Sequence, residues 1–197
     1  MLQQFPTITL REASPCVLET ERLVLRAARL GDAKAIAALA NDRRIAENTR
    51  RIPHPYTVQN AEEFVMGAGE AQNELALLIA RADGTPIGAC GLGFAGPVPE
   101  LGYWLGVPYW GKGYATEAAR AVIDYAFQEL GHAALQAGAR VTNPGSRRVL
   151  EKCGFQWTGV GLYRIRAIKS SAPIDRFRLE RGIWSALKGW GPMTRVS

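Results

Sequence analysis

Apolar positions along the chain change period several times, and each change marks an element. "RLVLRAA" (22–28) alternates branched apolar and polar residues over a short span and predicts a strand. Gly31 and Asp32 break that pattern, and Asp32 is placed to cap a helix whose apolar face carries Ile36, Leu39 and Ala40. The stretch 50–57, "RRIPHPYT", contains two prolines and reads as a loop. Beyond it, Asn60 and Glu63 have the spacing of a capping box for a second helix, with Phe64 on its inner face. Asp83-Gly84 separates two apolar runs within 75–94, the signature of a hairpin. A third run at 100–107 follows in the same region, so an antiparallel sheet is expected here.

From 116 to 130, Ala119, Val122, Ile123, Ala126, Phe127 and Leu130 recur at helical spacing, and Gly131 terminates them. "ALQAGAR" (134–140) reads as a strand, and the strand–helix–strand order implies that it runs parallel to the 100–107 strand. Residues 146–155 predict a short helix stopped by Gly154, and two further strands are expected near 157–168 and 174–180. Neither an internal repeat nor a low-complexity segment interrupts the pattern. The fold class is mixed α+β: a lead-in over 1–17, a single domain over 18–184 and a tail over 185–197.

Composition narrows this only a little. With 197 residues, 47% of them hydrophobic, the chain is long enough for one core. Its net charge of +6 would suit nucleic acid, a phosphorylated cofactor or an acidic protein surface, and is too diffuse to choose among them. Cys16, Cys90 and Cys153 form no CxxC pair and are odd in number, which suggests free thiols in a reducing compartment. Residues 1–17 lack the build of a signal peptide and no apolar run reaches membrane-span length, so a cytoplasmic protein is expected, without a membrane partner. Two histidines far apart and no acidic cluster argue for no metal.

The most informative string is "GYWLGVPYWGKGYATEA" (102–118). A strand that enters a helix through a glycine-rich turn exposes unpaired N–H groups at the positive end of the helix dipole, which is an anion site. Gly111 and Gly113 lack the Cβ that would hold a pyrophosphate away, although a tight strand-to-helix connection needs glycine too. Gly106 to Lys112 follow the P-loop pattern, but Gly113 stands where the Mg²⁺-binding hydroxyl belongs. The dinucleotide fingerprint fails for want of a third glycine.

Trp110-Gly111-Lys112-Gly113-Tyr114-Ala115 resembles the acyl-coenzyme A turn, [Q/R]-x-x-G-x-[G/A], of the GNAT superfamily of N-acetyltransferases, with Trp110 in place of Gln or Arg. The longer string is similar to the branch that acetylates ribosomal-protein N-termini. "LETERLVLRAARLGDA" (18–33), "NPGSRRVLEKCGF" (143–155) and "RFRLERGIW" (176–184) resemble other segments of that branch, in consistent order over roughly 18–184.

The resemblance implies strands 100–107 and 134–140 splayed apart with a thioester in the opening. Backbone groups of Leu105 and Val107 would pair with pantetheine amides, and the N–H groups from Gly111 through Lys112, Gly113, Tyr114 and Ala115 to Thr116 would hold the pyrophosphate. Lys112 would add charge or remain a solvated loop lysine. Asn143 would reach the cofactor's arm, and it also suits the N-cap of a helix that opens on Pro144. Glu100 is the candidate general base, against the plainer reading of a solvent-facing carboxylate. Leu150 occupies the position of the tyrosine acid found in many members, so Ser146 is the candidate acid, unless it serves only as a helix-start residue. A backbone N–H near Val107 would polarise the thioester carbonyl. His54 and Tyr56 lie in the loop that rims the acceptor site. Of Tyr103 and Trp104, one would pack in the core and the other line the acceptor pocket.

The expected activity is therefore an acetyl-CoA-dependent N-acetyltransferase acting on a protein N-terminal amine or a small-molecule amine, with no direct nucleic-acid partner. Two alternatives remain at this point: a silent CoA-binding sensor or scaffold, and a nucleotide hydrolase built on the near-miss P-loop. Dimers are frequent in the family, which makes a homodimer one expected assembly; the sequence itself carries no interface signal.

Overall fold

The computed structural model describes residues 16–70 and 74–189, so most of the lead-in and the end of the tail lie outside the described residues. Eight strands form one sheet in the order β1-β2-β3-β4-β5-β6-β8-β7. They are β1 (Leu18–Glu19), β2 (Leu23–Arg26), β3 (Glu74–Arg81), β4 (Pro86–Gly93), β5 (Glu100–Leu105), β6 (Ala134–Arg140), β7 (Gln156–Ile165) and β8 (Ser170–Glu180). Every neighbouring pair is antiparallel except β5 and β6. The helices are α1 (Ala33–Ala40), α2 (Arg43–Ala46), α3 (Val58–Glu70), α4 (Tyr114–Gln128), α5 (Pro144–Lys152) and α6 (Arg181–Gly189).

Alternation along the strands divides the core into two layers. Leu23, Leu25, Leu77, Ile79, Leu101, Leu135 and Phe177 face α4, whose Ala118, Val122, Ile123, Ala126 and Phe127 complete the larger cluster. Leu78 faces the other way, toward Ile36, Ala37 and Ala40 of α1 and Ala61 of α3. Helix α6 crosses the expected 184/185 boundary and is tied to α4, because Trp184 Nε1 donates to Asp124 (2.7 Å) and its ring lies 5.1 Å from that of Phe127.

Two expected caps are realised differently. Asp32 ends a 3-10 turn, and its carboxylate does not cap α1: it accepts from Arg26 (2.8 and 2.9 Å) and from the Arg29 N–H (2.8 Å). A guanidinium in bidentate reach outcompetes a helix N–H for the same oxygens. Helix α3 begins before Asn60, because Thr57 caps it. The Asn60 N–H donates to Thr57 Oγ1 (3.2 Å) and the Thr57 N–H to Asn60 Oδ1 (3.1 Å).

The feature that positions the site is a split in the middle of the sheet. β4 and β5 pair all the way to Gly88↔Leu105. On its other side β5 pairs with β6 only at Glu100↔Gln136 and Leu101↔Ala137, after which β6 turns to β8 alone. From Gly102 onward β5 therefore has an open edge inside the sheet. The Gly106 N–H donates to Ile87 O (2.8 Å), so even-numbered residues address β4, whereas the peptide groups of Tyr103 and Leu105 address the gap.

Candidate active site

The gap runs into the glycine turn. Gly111 (φ +74°) and Gly113 (φ +83°) take the left-handed conformation that side chains disfavour, which lets the chain reverse from β5 into α4. Gly113 is the N-cap of α4, without a side-chain cap. Its carbonyl accepts from the Glu117 N–H (3.1 Å), yet the N–H groups of residues 111–116 find no acceptor among the described residues. Six consecutive donors at a helix N-terminus form a cradle that an anion would fill.

The cradle is braced from the turn between β1 and β2. Arg22 donates from Nη1 to Lys112 O (3.1 Å) and from Nε to Glu117 Oε2 (2.7 Å), and it lies 4.7 Å from the centre of the Tyr114 ring. Glu117, in the first turn of α4, also accepts from Thr20 Oγ1 (2.7 Å) and the Arg22 N–H (2.9 Å). Burial opposes the Glu117 charge, but the hydrogen bonds from Thr20 and Arg22 outweigh it and leave the carboxyl below its usual range. Its charge is thus compensated beside these unpaired N–H groups. Neither Arg22 nor Glu117 stood out in the sequence, for they are 95 residues apart. Lys112 directs its ammonium over the Tyr109 ring, 5.8 Å from the centroid.

Trp110 shows what replaces the family's Gln or Arg. Its Nε1 donates to Leu105 O (2.7 Å) and its backbone N–H to Val107 O (3.1 Å). Two carbonyls at the end of β5 are thereby engaged inside the chain, so the expected strand-like pairing narrows to the remaining groups, among them the Leu105 N–H.

Alternation sends Tyr103 and Trp104 to opposite faces of β5. Tyr103 packs against the α4 cluster and reaches α5, where its hydroxyl is 2.9 Å from Ser146 Oγ and 3.1 Å from Ser146 O. Burial pushes its phenol well above the usual range. Trp104 packs against the α1–α3 cluster. Asn143 caps α5 through the Ser146 N–H (3.1 Å), which fixes Ser146 from behind, and Leu150 is fully buried. Glu100 stands on the Trp104 face, ion-paired to Arg50 at 3.0 Å.

Two loop residues do not join this group as expected. Tyr56 lies in the α1–α3 core at 9% exposure, its hydroxyl donating to Asn60 O (3.2 Å) and its N–H to Asn41 Oδ1 (2.9 Å). An aromatic beside a helix start buries more apolar area under the helix than at a loop tip. His54 is exposed and stands near Asp42, whose carboxyl Arg44 holds at about 2. Cys90 and Cys153 are buried, and burial raises the Cys153 thiol to about 11, which suits packing rather than nucleophilic attack. Among the described residues no helix is long and apolar enough to cross a membrane, and no His, Cys, Asp or Glu cluster could hold a metal.

The model of the acetyltransferase (GNAT) domain matches residues 22–156. The uncharacterized N-acetyltransferase YoaA of Bacillus subtilis is 34% identical over 159 residues, 73% of this chain and 85% of that protein. A shorter match to the Bacillus subtilis protein YjcK, 46% identical over 66 residues, spans 34% of this chain and 36% of that one. Among solved structures, Mycobacterium smegmatis RimJ in complex with CoA-disulfide superposes with a TM-score of 0.72 at 20% identity, covering 85% of this chain and 87% of that one. Spermidine N-acetyltransferase from Vibrio cholerae, in complex with CoA and spermine, gives 0.71 at 23% identity, covering 84% and 99%. The extent of the domain match, together with the split sheet and its glycine turn, makes the chain a member of the GNAT acetyltransferase family and an acyl-CoA N-acetyltransferase.

Proposed function

We propose that the enzyme transfers acetyl directly from acetyl-CoA to a primary amine, either the N-terminal α-amine of a protein or the amine of a small molecule. The observation that carries this reading is the run of unpaired N–H groups at 111–116 continuing into the open edge of β5. An extended, amide-bearing arm ending in a diphosphate matches that track: donors for the phosphates, then a strand edge for the amides. Acetyl-CoA supplies the activated thioester. The 111–116 amides grip the diphosphate, the Leu105 N–H addresses the arm, and Asn143, whose Oδ1 is taken up by the Ser146 N–H, offers its amide nitrogen to the arm as a donor.

The acceptor enters as an ammonium and must shed a proton. Glu100 accepts that proton, directly or through water, while Arg50 holds its carboxylate in place. At pH 7 an α-amine is roughly a tenth neutral and a lysine less than about 0.1%, so an α-amine asks far less of this base. After attack, the adduct nitrogen still has a proton to lose; Ser146 gives its proton to the departing sulfur and is restored by that second proton, with Tyr103 behind it.

Thermal unfolding tests the reading. Acetyl-CoA or CoA at a hundredfold excess over Kd, without Mg²⁺, is expected to stabilise the protein by about 2.7 kcal/mol. Thiol release on adding amines then marks turnover. CoA stabilisation with no release for any amine would leave a binding module, and stabilisation only by ATP with Mg²⁺ would replace the reading with a nucleotide site.

A further inference from the structure

β5 and β6 stay in register only at Glu100↔Gln136 and Leu101↔Ala137; continued, that register would set Arg140 beside Trp104. Instead the two residues stand on opposite lips of the opening. Alternation along β5 and β6 keeps both on the face that carries Glu100, away from α4. Segment 39–50 runs across this face from one lip to the other. At the β5 end, Leu39 lies so close to Gly106 that a Cβ there would stand 2.6 Å from its Cδ2, and Arg44 lies 6.0 Å from the centre of the Trp110 ring. At the β6 lip, Arg140 Nη1 donates to Glu47 O (2.9 Å). Farther on, Arg50 pairs with Glu100, and its carbonyl accepts from the Arg166 N–H (3.1 Å). Helix α2 is the middle of this span. It stands off the end of β5, with a cavity of about 300 Å³ between Asn41, Asp42 and Arg44 on one side and Val107 and Pro108 on the other.

The carbonyls that end α2 are satisfied locally, with one exception. Arg44 O accepts from Asn48 Nδ2 (2.8 Å), Ile45 O from Thr49 Oγ1 (3.1 Å) and Ala46 O from the Thr49 N–H (3.4 Å). Among the described residues, Glu47 O accepts only from Arg140, 93 residues away. The arginine makes this contact at a cost, since its Nε is buried without an acceptor among the described residues. An apolar side chain of similar length would avoid that penalty, so packing alone does not account for an arginine here. Reach from β6 to α2 does. The Arg140 carbonyl also accepts from the Asn143 N–H (2.8 Å), and Asn143 caps the helix that carries Ser146. One residue thus holds the wall over the opening and supports the candidate acid.

We infer that Arg140 is a positioning residue: it latches α2 to the β6 lip and so fixes the wall past which the acceptor amine reaches the thioester. This rests on the proposed transferase function, with the Glu100 face as the acceptor side. Without the latch, α2 keeps its local hydrogen bonds but is free to drift over the cavity beside it, and the amine loses its fixed approach. The 111–116 turn is braced separately, by Arg22 and Glu117, so CoA binding does not depend on the latch.

The test compares R140M, which has no donor, with R140K, which keeps a charged one. Spermidine, leucine and a Ser-Ala-Ala peptide serve as acceptors, assayed by thiol release at saturating acetyl-CoA. For the amine that wild type uses best, R140M is expected to lower kcat/KM about tenfold or more, chiefly through KM, with CoA affinity by calorimetry unchanged. R140K should recover part of the loss. In hydrogen exchange, amides 45–50 of R140M should open about tenfold faster or more, while those of α4 keep their protection. If R140M does not fold, R140K carries both readouts at smaller amplitude, and a match to wild type in both overturns the inference. A wild-type amine KM in folded R140M, or amine and CoA affinities that fall together, overturns it while the transferase reading stands. CoA binding without acetylation of any amine overturns that reading, and the inference with it.

Discussion

The Tyr103 hydroxyl lies 2.9 Å from Ser146 Oγ and 3.1 Å from the carbonyl oxygen of the same residue. One phenolic proton serves both contacts, so the pair has two settings. When Tyr103 donates to the carbonyl, the Ser146 proton points at Tyr103; when Tyr103 donates to Oγ, the Ser146 proton is free to point into the gap. Burial keeps the phenol protonated, so Tyr103 remains a donor across the working pH range. Removing the hydroxyl with Y103F is expected to lower kcat about tenfold, and S146A more, within the range general-acid groups contribute. The double variant should resemble S146A, since the two act as one unit. Additive losses in steady-state assays would separate them.

Gly113 offers the sharpest probe of the cradle. Its φ of +83° and the Arg22 Nη2 atom 3.3 Å from where a Cβ would stand leave no comfortable place for a side chain. G113A is expected to cost about 1–2 kcal/mol of stability from the left-handed backbone alone. G113D would add a carboxylate at the anion site and abolish CoA binding by calorimetry, with the fold retained by circular dichroism. Unchanged CoA affinity in G113D would remove the diphosphate from this turn.

Much of this arrangement was legible because its causes are local. The span expected for β6, 134–140, is the span observed, and the Asp83-Gly84 turn lies between β3 and β4, with Gly84 at φ +82°. Alternation of Tyr103 and Trp104 was readable, but which face each takes depends on where α4 packs, and no residue of β5 encodes that. Asn60 was misread as a cap because Thr57 binds the same helix start and wins. Arg22 with Glu117, and Arg50 with Glu100, are separated by 95 and 50 residues. Such pairs have no spacing signature; they exist only once the sheet has formed. Tyr56 was legible only as a loop aromatic; its burial in the α1–α3 cluster depends on how those helices pack, which no local spacing encodes.

The Arg26–Asp32 pair ties β2 to the start of α1 and gives a pH dependence of defined sign. Arg26 is the main cause that holds the Asp32 carboxyl below its usual range. A carboxylate with a depressed folded-state pKa adds stability that is complete above its unfolded value, near 3.9, and is lost as pH falls through the folded value. D32N should therefore destabilise the protein at pH 7, by about 1–2 kcal/mol for a partly buried charged hydrogen bond. In urea titrations the difference between wild type and D32N should shrink steadily below about pH 4. A difference that stayed constant to pH 2 would show that the loss comes from packing rather than from the charge.

Glu100 is paired with Arg50 at 3.0 Å, and this contact makes its role as base testable without any knowledge of the acceptor. The first deprotonation, from ammonium to amine, calls on a base only while the amine is protonated. For an α-amine with pKa near 7.8, E100Q should reduce kcat/KM strongly at about pH 6.5 and progressively less above about pH 8.5, as the neutral amine becomes abundant. R50Q, which leaves the carboxylate in place but unheld, should give a smaller loss with the same trend. A pH profile for E100Q parallel to that of wild type over this range would mean that Glu100 binds or positions the acceptor and takes no proton from it.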